Sequence, residues 1–188
     1  MSEKNKYCLL GVDPGTNVLG YGVIEISNRT PRMLDLGIVT MHNLEEQQLK
    51  LKKIFEELQK IIRQYRPDEM AIEAPFYGKN VQSMLKLGRA QGVAIAAAIT
   101  MGVEITEYSP KKIKQSVTGN GNASKEQVAA MLETILSVKL EENYLDATDA
   151  LATAVCHFYQ SSPVPGGGKK YKDWTSFLAE NPDRKKKA

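Results

Sequence analysis

Leu9–Glu25 reads LLGVDPGTNVLGYGVIE, and the reading of this stretch decides the fold. Apolar residues run through Tyr7, Leu9, Leu10 and Val12 and stop at a carboxylate, Asp13. Pro14-Gly15-Thr16-Asn17 supplies turn residues, and Leu19–Ile26 returns as a second strand. A buried strand that delivers one Asp to its tip, beside a Gly-containing turn, is a place to hold a metal or a phosphate. The same residues suit a plain hairpin whose Asp bonds the backbone two residues on. The choice depends on whether other carboxylates reach neighbouring element ends.

Outward from the hairpin, Arg32–Met41 has the pattern of a third strand, which makes an antiparallel meander. Leu44–Tyr65 follows as an amphipathic helix, with Leu51, Ile54, Phe55, Leu58, Ile61, Ile62 and Tyr65 at helical spacing and Pro67 as its stop. Glu69–Glu73 is a short strand that again ends on a carboxylate. A strand reached through a helix is expected to lie parallel to the first. Asp13 and Glu73 would then share one end of the sheet. Asn80–Met101 is a second helix with small residues at Gly88, Ala90, Gly92, Ala94, Ala96, Ala97 and Ala98, which would admit the sheet or a second subunit at close range. Val103–Tyr108 is a fifth strand, Pro110–Val117 a short basic helix, and Gly119-Asn120-Gly121-Asn122 a turn. Ser124 and Gln127 form a capping box that opens a helix with Val128, Met131, Leu132, Ile135 and Leu136 on its apolar face. The last helix runs from Asp146 to Tyr159 and buries Ala150, Leu151, Ala154, Val155 and Phe158. The expected architecture is one α/β domain over 1–160. Residues 161–188 form a Gly/Pro linker and a basic tail, read as mostly disordered.

Charge is distributed unevenly along the chain. Residues 1–160 hold 18 basic and 19 acidic side chains, whereas 161–188 hold 7 and 3. Within the body, Lys79, Lys86, Arg89, Lys111, Lys112, Lys114 and Lys125 face only Glu104 and Glu107 across residues 74–125. That imbalance suits a polyanion-binding face, and equally a solvated helix surface. No apolar run reaches the roughly 18 residues that span a bilayer, and Met1–Tyr7 is too polar for a signal peptide. Cys8 and Cys156 sit in apolar patterns, which suits a buried pair of free thiols, and no Cys/His spacing matches a zinc site. The expected compartment is the cytoplasm.

Asp146 and Asp149 are three apart, on one face at the start of the last helix. Acidic residues there also cap free N–H groups and complement the macrodipole, so helix capping accounts for the pair taken alone. With Asp13 and Glu73 they make four hard oxygen donors. Such a set suits Mg²⁺ or Mn²⁺. Two such ions roughly 3.5–4 Å apart activate water on one side of a phosphate and stabilise the leaving oxygen on the other.

LLGVDPGTNVLGYGVIE, AIEAPFYGKN, LKLGRAQGVA, KQSVTGNGNASKEQV and DATDALATAVCH resemble, in order and spacing, the RuvC-type Holliday junction resolvases. The resemblance covers about residues 7–160. It implies a ribonuclease H-like fold, with a mixed five-stranded sheet of a three-strand antiparallel meander plus two parallel strands. It also implies a homodimer, Mg²⁺-dependent paired nicking of four-way DNA junctions, and partnership with the RuvA and RuvB branch-migration proteins. By match, Asp13, Glu73, Asp146 and Asp149 are the metal-binding catalytic acids, and Lys114 and Lys125 serve the scissile phosphate. Phe76 matches an aromatic that contacts unpaired bases at the junction centre. Lys79, Arg89, Lys111 and Lys112 are further DNA-binding candidates from the basic segment. The chain departs from the family at Ala74, where a polar residue is common. Some members carry His in place of Asp146.

The hairpin also looks like the phosphate-binding hairpin of actin-like and sugar-kinase ATPases. Those close two such domains on a nucleotide, whereas this chain has one. A non-catalytic junction binder is a third reading. It is disfavoured because a pure binder gains nothing from four carboxylates where phosphates must approach.

Overall fold

The computed structural model describes residues 6–75, 80–140 and 145–161, with side chains in the last stretch from 147 onward. The proposed tail beyond 161 lies outside the described residues. Five strands form one sheet: β1 (Lys6–Asp13), β2 (Val18–Ser27), β3 (Thr30–Thr40), β4 (Glu69–Glu73) and β5 (Glu104–Tyr108). The helices are α1 (Gln47–Tyr65), α2 (Val81–Ile99), α3 (Pro110–Thr118), α4 (Lys125–Leu136) and α5 (Leu145–Ser161). The sheet order is β3-β2-β1-β4-β5, with β1–β2 and β2–β3 antiparallel and β1–β4 and β4–β5 parallel. This is the expected meander plus two parallel strands.

Strand alternation divides the core into two layers. Leu10, Val12, Val23, Met70 and Ile72 face α1 and α2, where Ile54, Leu58, Ala90, Ala94 and Ala97 are buried. Leu9, Ile24 and Ile26 face α3, α4 and α5, with Ile113, Leu132, Leu151 and Val155. Local signals fix the helix ends. Ser109 caps α3 with Pro110 in its first turn, and Ser124 and Gln127 complete the capping box of α4. The last helix starts one residue earlier than expected, so Asp149 is its fifth residue.

α5 is apolar almost all round, because it lies between the sheet and α3 and α4. Its approach to the sheet is made possible by two glycines, Gly11 and Gly22, which are cross-strand partners on β1 and β2. A Cβ built on Gly11 would lie 2.0 Å from the Ala150 carbonyl oxygen, and one on Gly22 would lie 2.7 Å from Leu151 Cα. Helix backbone therefore rests on strand backbone. A polar link ties the far end of α5 to both parallel strands. His157 Nε2 lies 2.7 Å from Glu69 Oε2, and Nδ1 lies 2.9 Å from the Tyr108 hydroxyl.

Two expectations need adjustment. Both cysteines are free, as read, but Cys8 is only half-buried while Cys156 is buried, since Cys8 sits on β1 near its exposed start. The small residues of α2 serve two faces instead of one. Ala90, Ala94, Ala97 and Ala98 are buried, whereas a Cβ on Gly88 or Gly92 would meet nothing.

Gly11→Ala tests the backbone contact. Overpacking of this kind costs roughly 1–3 kcal/mol, which in a domain of this size lowers Tm by roughly 2–12 °C. A variant that melts with the parent would show that α5 does not depend on this approach.

Candidate active site

The register β1–β4 pairs Val12 with Ile72, so Asp13 and Glu73 end adjacent parallel strands. Alternation sends both towards α5: Asp13 shares the face of Leu9 and Gly11, and Glu73 that of Glu69 and Ala71. Since α5 is held down on Gly11 and Gly22, Asp149 arrives above the same sheet end. Lys125, the first residue of α4, places Nζ 2.8 Å from Asp149 Oδ2. The capping box fixes that first turn and hence the lysine's origin.

Glu73 reports the electrostatics of the cluster. Its pKa is pushed up to about 8, first by burial and then by the negative charges of Asp13 and Asp149. Lys125 and Lys114 act in the opposite direction. Sheet, α3, α4 and α5 thus bring Asp13, Glu73, Asp149, Lys114 and Lys125 into one electrostatic neighbourhood. Among the described residues, no three His, Cys, Asp or Glu side chains close into a metal-sized cluster. The Asp146 side chain is not among them, and Asp149 is engaged by Lys125. The donor set nevertheless fits a divalent cation. It consists of hard carboxylate oxygens, and the repulsion felt by Glu73 is what a cation would relieve.

The remaining candidates divide by layer. Lys111 and Lys112 are exposed on α3, in the layer of the carboxylates. Arg89 is exposed on α2, across the sheet. Phe76 and Lys79 lie outside the described residues. Burial pushes the Cys8 thiol up to about 11 and raises that of Cys156, so neither offers a thiolate near neutral pH. Among the described residues, no helix is long and apolar enough to cross a membrane.

The model of the family "Crossover junction endodeoxyribonuclease RuvC" matches residues 9–157. The chain belongs to this family. A relative of that name from Cytophaga hutchinsonii is 59% identical over 179 residues, covering 95% of this chain and 88% of its own. Another, from Porphyromonas gingivalis, is 52% identical over 188 residues, covering 98% and 99%. The structure of Thermus thermophilus RuvC in complex with a Holliday junction substrate superposes with a TM-score of 0.76 at 31% identity, covering 82% of this chain and 94% of that one. The fold is therefore ribonuclease H-like, as the resemblance implied.

Sequence reasoning passed over Gly11 and Gly22 as contributors to the site. Their signal was present as two glycines inside strand patterns, which mark close backbone approach.

A pH test follows from Glu73. Its folded pKa is raised above the ordinary value of 4.5, so metal-free folded protein takes up the Glu73 proton more readily than the unfolded chain. Ionisation of Glu73 therefore costs stability progressively as pH rises from about 4.5 to about 8. In metal-free buffer, Glu73→Gln should melt higher than the parent at pH 8.5, by roughly 5 °C, and lose the advantage near pH 4.5. An equal Tm at both pH values would remove the carboxylate conflict.

Proposed function

We propose that this chain is a structure-selective DNA endonuclease that resolves Holliday junctions by paired symmetric nicks during recombination and repair. Asp13, Glu73, Asp146 and Asp149 would hold two Mg²⁺ ions, for which Mn²⁺ can substitute. The observation that carries the reading is the meeting of Asp13 and Glu73, on adjacent parallel strand ends, with Asp149 and its partner Lys125 at one end of the sheet. Membership of the family supports the substrate, as does the likeness to a structure holding a Holliday junction.

Bound divalent ions would supply an activated water and neutralise charge on the phosphodiester. The chain's own residues do the rest. Asp13 and Glu73 project from buried strand ends, so their carboxylates are held on rigid backbone. Lys125 lies 2.8 Å from Asp149, and with cations held by the carboxylates its ammonium would be placed to meet a phosphate oxygen. Lys114 adds positive charge from α3 on the same side. Lys111 and Lys112 extend that positive surface, where backbone phosphates would position the duplex arms.

Asp13→Asn, Glu73→Gln and Asp149→Asn should each abolish nicking of a synthetic four-way junction while binding survives. Lys114→Ala and Lys125→Ala should lower the single-turnover rate at saturating junction more than the affinity. Normal cleavage by Asp13→Asn in Mg²⁺ would sink the assignment.

Two nicks related by two-fold symmetry call for a two-fold dimer. Support for one lies on the outer face of α2. Val81, Leu85 and Ile99 are 64%, 52% and 62% exposed, and they fall on one stripe with Gly88, Gly92 and Ala96. An apolar stripe with no Cβ at its centre suits close helix contact with a second copy. Leu85→Glu is expected to give a monomer by sedimentation that cuts only one strand of a junction. A dimer with intact paired nicking would place the interface elsewhere.

A further inference from the structure

The loop Gly119-Asn120-Gly121-Asn122 lies between Lys114 on α3 and Lys125 on α4, the two lysines whose charges act on Glu73. The loop is largely exposed, yet the six backbone N–H groups from Gly119 to Ser124 all find acceptors within this part of the chain. Gly119 N–H donates to the Gln115 carbonyl at 3.0 Å, and Gly121 N–H to Gln115 Oε1 at 3.1 Å. Asn120 N–H donates to Thr118 Oγ1 at 3.1 Å, and Asn122 N–H to Asn120 Oδ1 at 3.0 Å. Ala123 N–H reaches the Asn120 carbonyl at 3.1 Å, and Ser124 N–H reaches Gln127 Oε1 at 2.9 Å. Gln115 Nε2 also donates to the Gly119 carbonyl at 2.6 Å, so one side chain grips the loop on both sides of Asn120. Ala123 anchors the far end, 2% exposed, and a Cβ built on Gly121 would lie 2.8 Å from Lys111 Cγ.

Backbone N–H groups already spent within the loop cannot cradle a phosphate, so the loop offers only side chains to a ligand. Those side chains stand on a frame that is ordered before anything binds. Asn120 has given its Oδ1 to the turn. The exposed Asn122 amide has no partner among the described residues, and it keeps both a donor and an acceptor. Asn122 stands three residues before Lys125, so their Cα atoms lie within roughly 11 Å of each other. The charges beside the loop in sequence are Lys111, Lys114 and Lys125, and the nearest acid, Glu126, bonds Ser124 at the helix start.

We propose that Asn122 reads a base next to the scissile phosphate and so selects where the chain cuts, an inference that rests on the nuclease reading. A lysine matches any phosphate, whereas a neutral amide with a donor and an acceptor matches a base edge. The edge it fits is that of adenine, whose N6 amino group donates to Oδ1 while Nδ2 donates to N7. Lys125 sets the distance to the phosphate, and Gln115 is a positioning residue that holds the amide at a fixed offset from the nick.

Cleavage mapped on four-way junctions with a randomised central sequence tests the assignment. The parent chain should favour adenine at one fixed distance from the nick, in the cut strand or opposite it. Asn122→Ala should lower cutting at such sites roughly tenfold relative to other sites. Asn122→Asp keeps acceptors and loses the donor, so it should exchange adenine for cytosine, whose N4 amino group donates. Gln115→Leu should blunt the preference with Asn122 still in place. Asn43→Ala, at an exposed loop position elsewhere, should leave it intact. The same preference should appear in junction affinities measured without metal. A parent chain with no adenine preference, or a preference that survives Asn122→Ala, would overturn the proposal. If the parent binds junctions and cuts none, the nuclease reading fails, and the metal-free affinities of parent and Asn122→Ala decide the base contact.

Discussion

A helix backbone resting on strand backbone is the contact on which the rest of this structure depends. Gly11 and Gly22 stand side by side on β1 and β2 and leave no side chain between the sheet and Ala150, Leu151 and Ala154 of α5. Side-chain layers can shift by rotamer changes, whereas backbone against backbone has no such slack. Asp13 stands two residues beyond Gly11, and Asp149 stands one residue before Ala150. Their relative placement therefore follows from a backbone-to-backbone contact. His157, clamped between Glu69 and Tyr108, fixes the other end of α5 and prevents it from pivoting.

The price of this arrangement is electrostatic. Glu73 is partly buried beside two other carboxylates, and burial together with their negative charge pushes its pKa up to about 8. Lys114 and Lys125 offset that only in part. Stability must come from the two apolar layers, which are independent of the conflict at the sheet end. A site held in conflict with local preference by the rest of the fold is what a cation-binding centre requires, because the cation then has repulsion to relieve.

The sheet topology was legible because it rests on local signals. Apolar alternation, the Pro67 stop, and a helix between Val12 and Ile72 were enough to place β4 parallel to β1 and bring Asp13 beside Glu73. The capping box at Ser124 was equally plain. What could not be read were consequences of three-dimensional register. The glycines at 11 and 22 acquire meaning only when the strands pair them and α5 descends on them. Charge along the chain is one-dimensional, so Arg89 and Lys111 counted as a single basic segment although the sheet separates them. For the same reason the small residues of α2 gave no sign that alternate ones face opposite ways. The Lys125–Asp149 pair joins residues 24 positions apart, beyond the reach of any local pattern.

The division into layers also bears on how two sites could act together. The carboxylates occupy the α5 layer, and the exposed apolar stripe belongs to α2 in the other layer. The two are nonetheless close in sequence, since Val81 follows Glu73 by only eight residues. β4 passes through the sheet between the layers, so Glu73 and the stripe share one short covalent path. A second copy seated on that stripe would therefore fix the distance between two Glu73 side chains through α2 and β4, and would leave the opposite layer, with Lys111, Lys112 and Lys114, uncovered. Paired nicking needs two centres at a set separation and both left open. A dimer built on the opposite layer satisfies both conditions, whereas one built on α3 or α4 would cover the lysines beside the carboxylates.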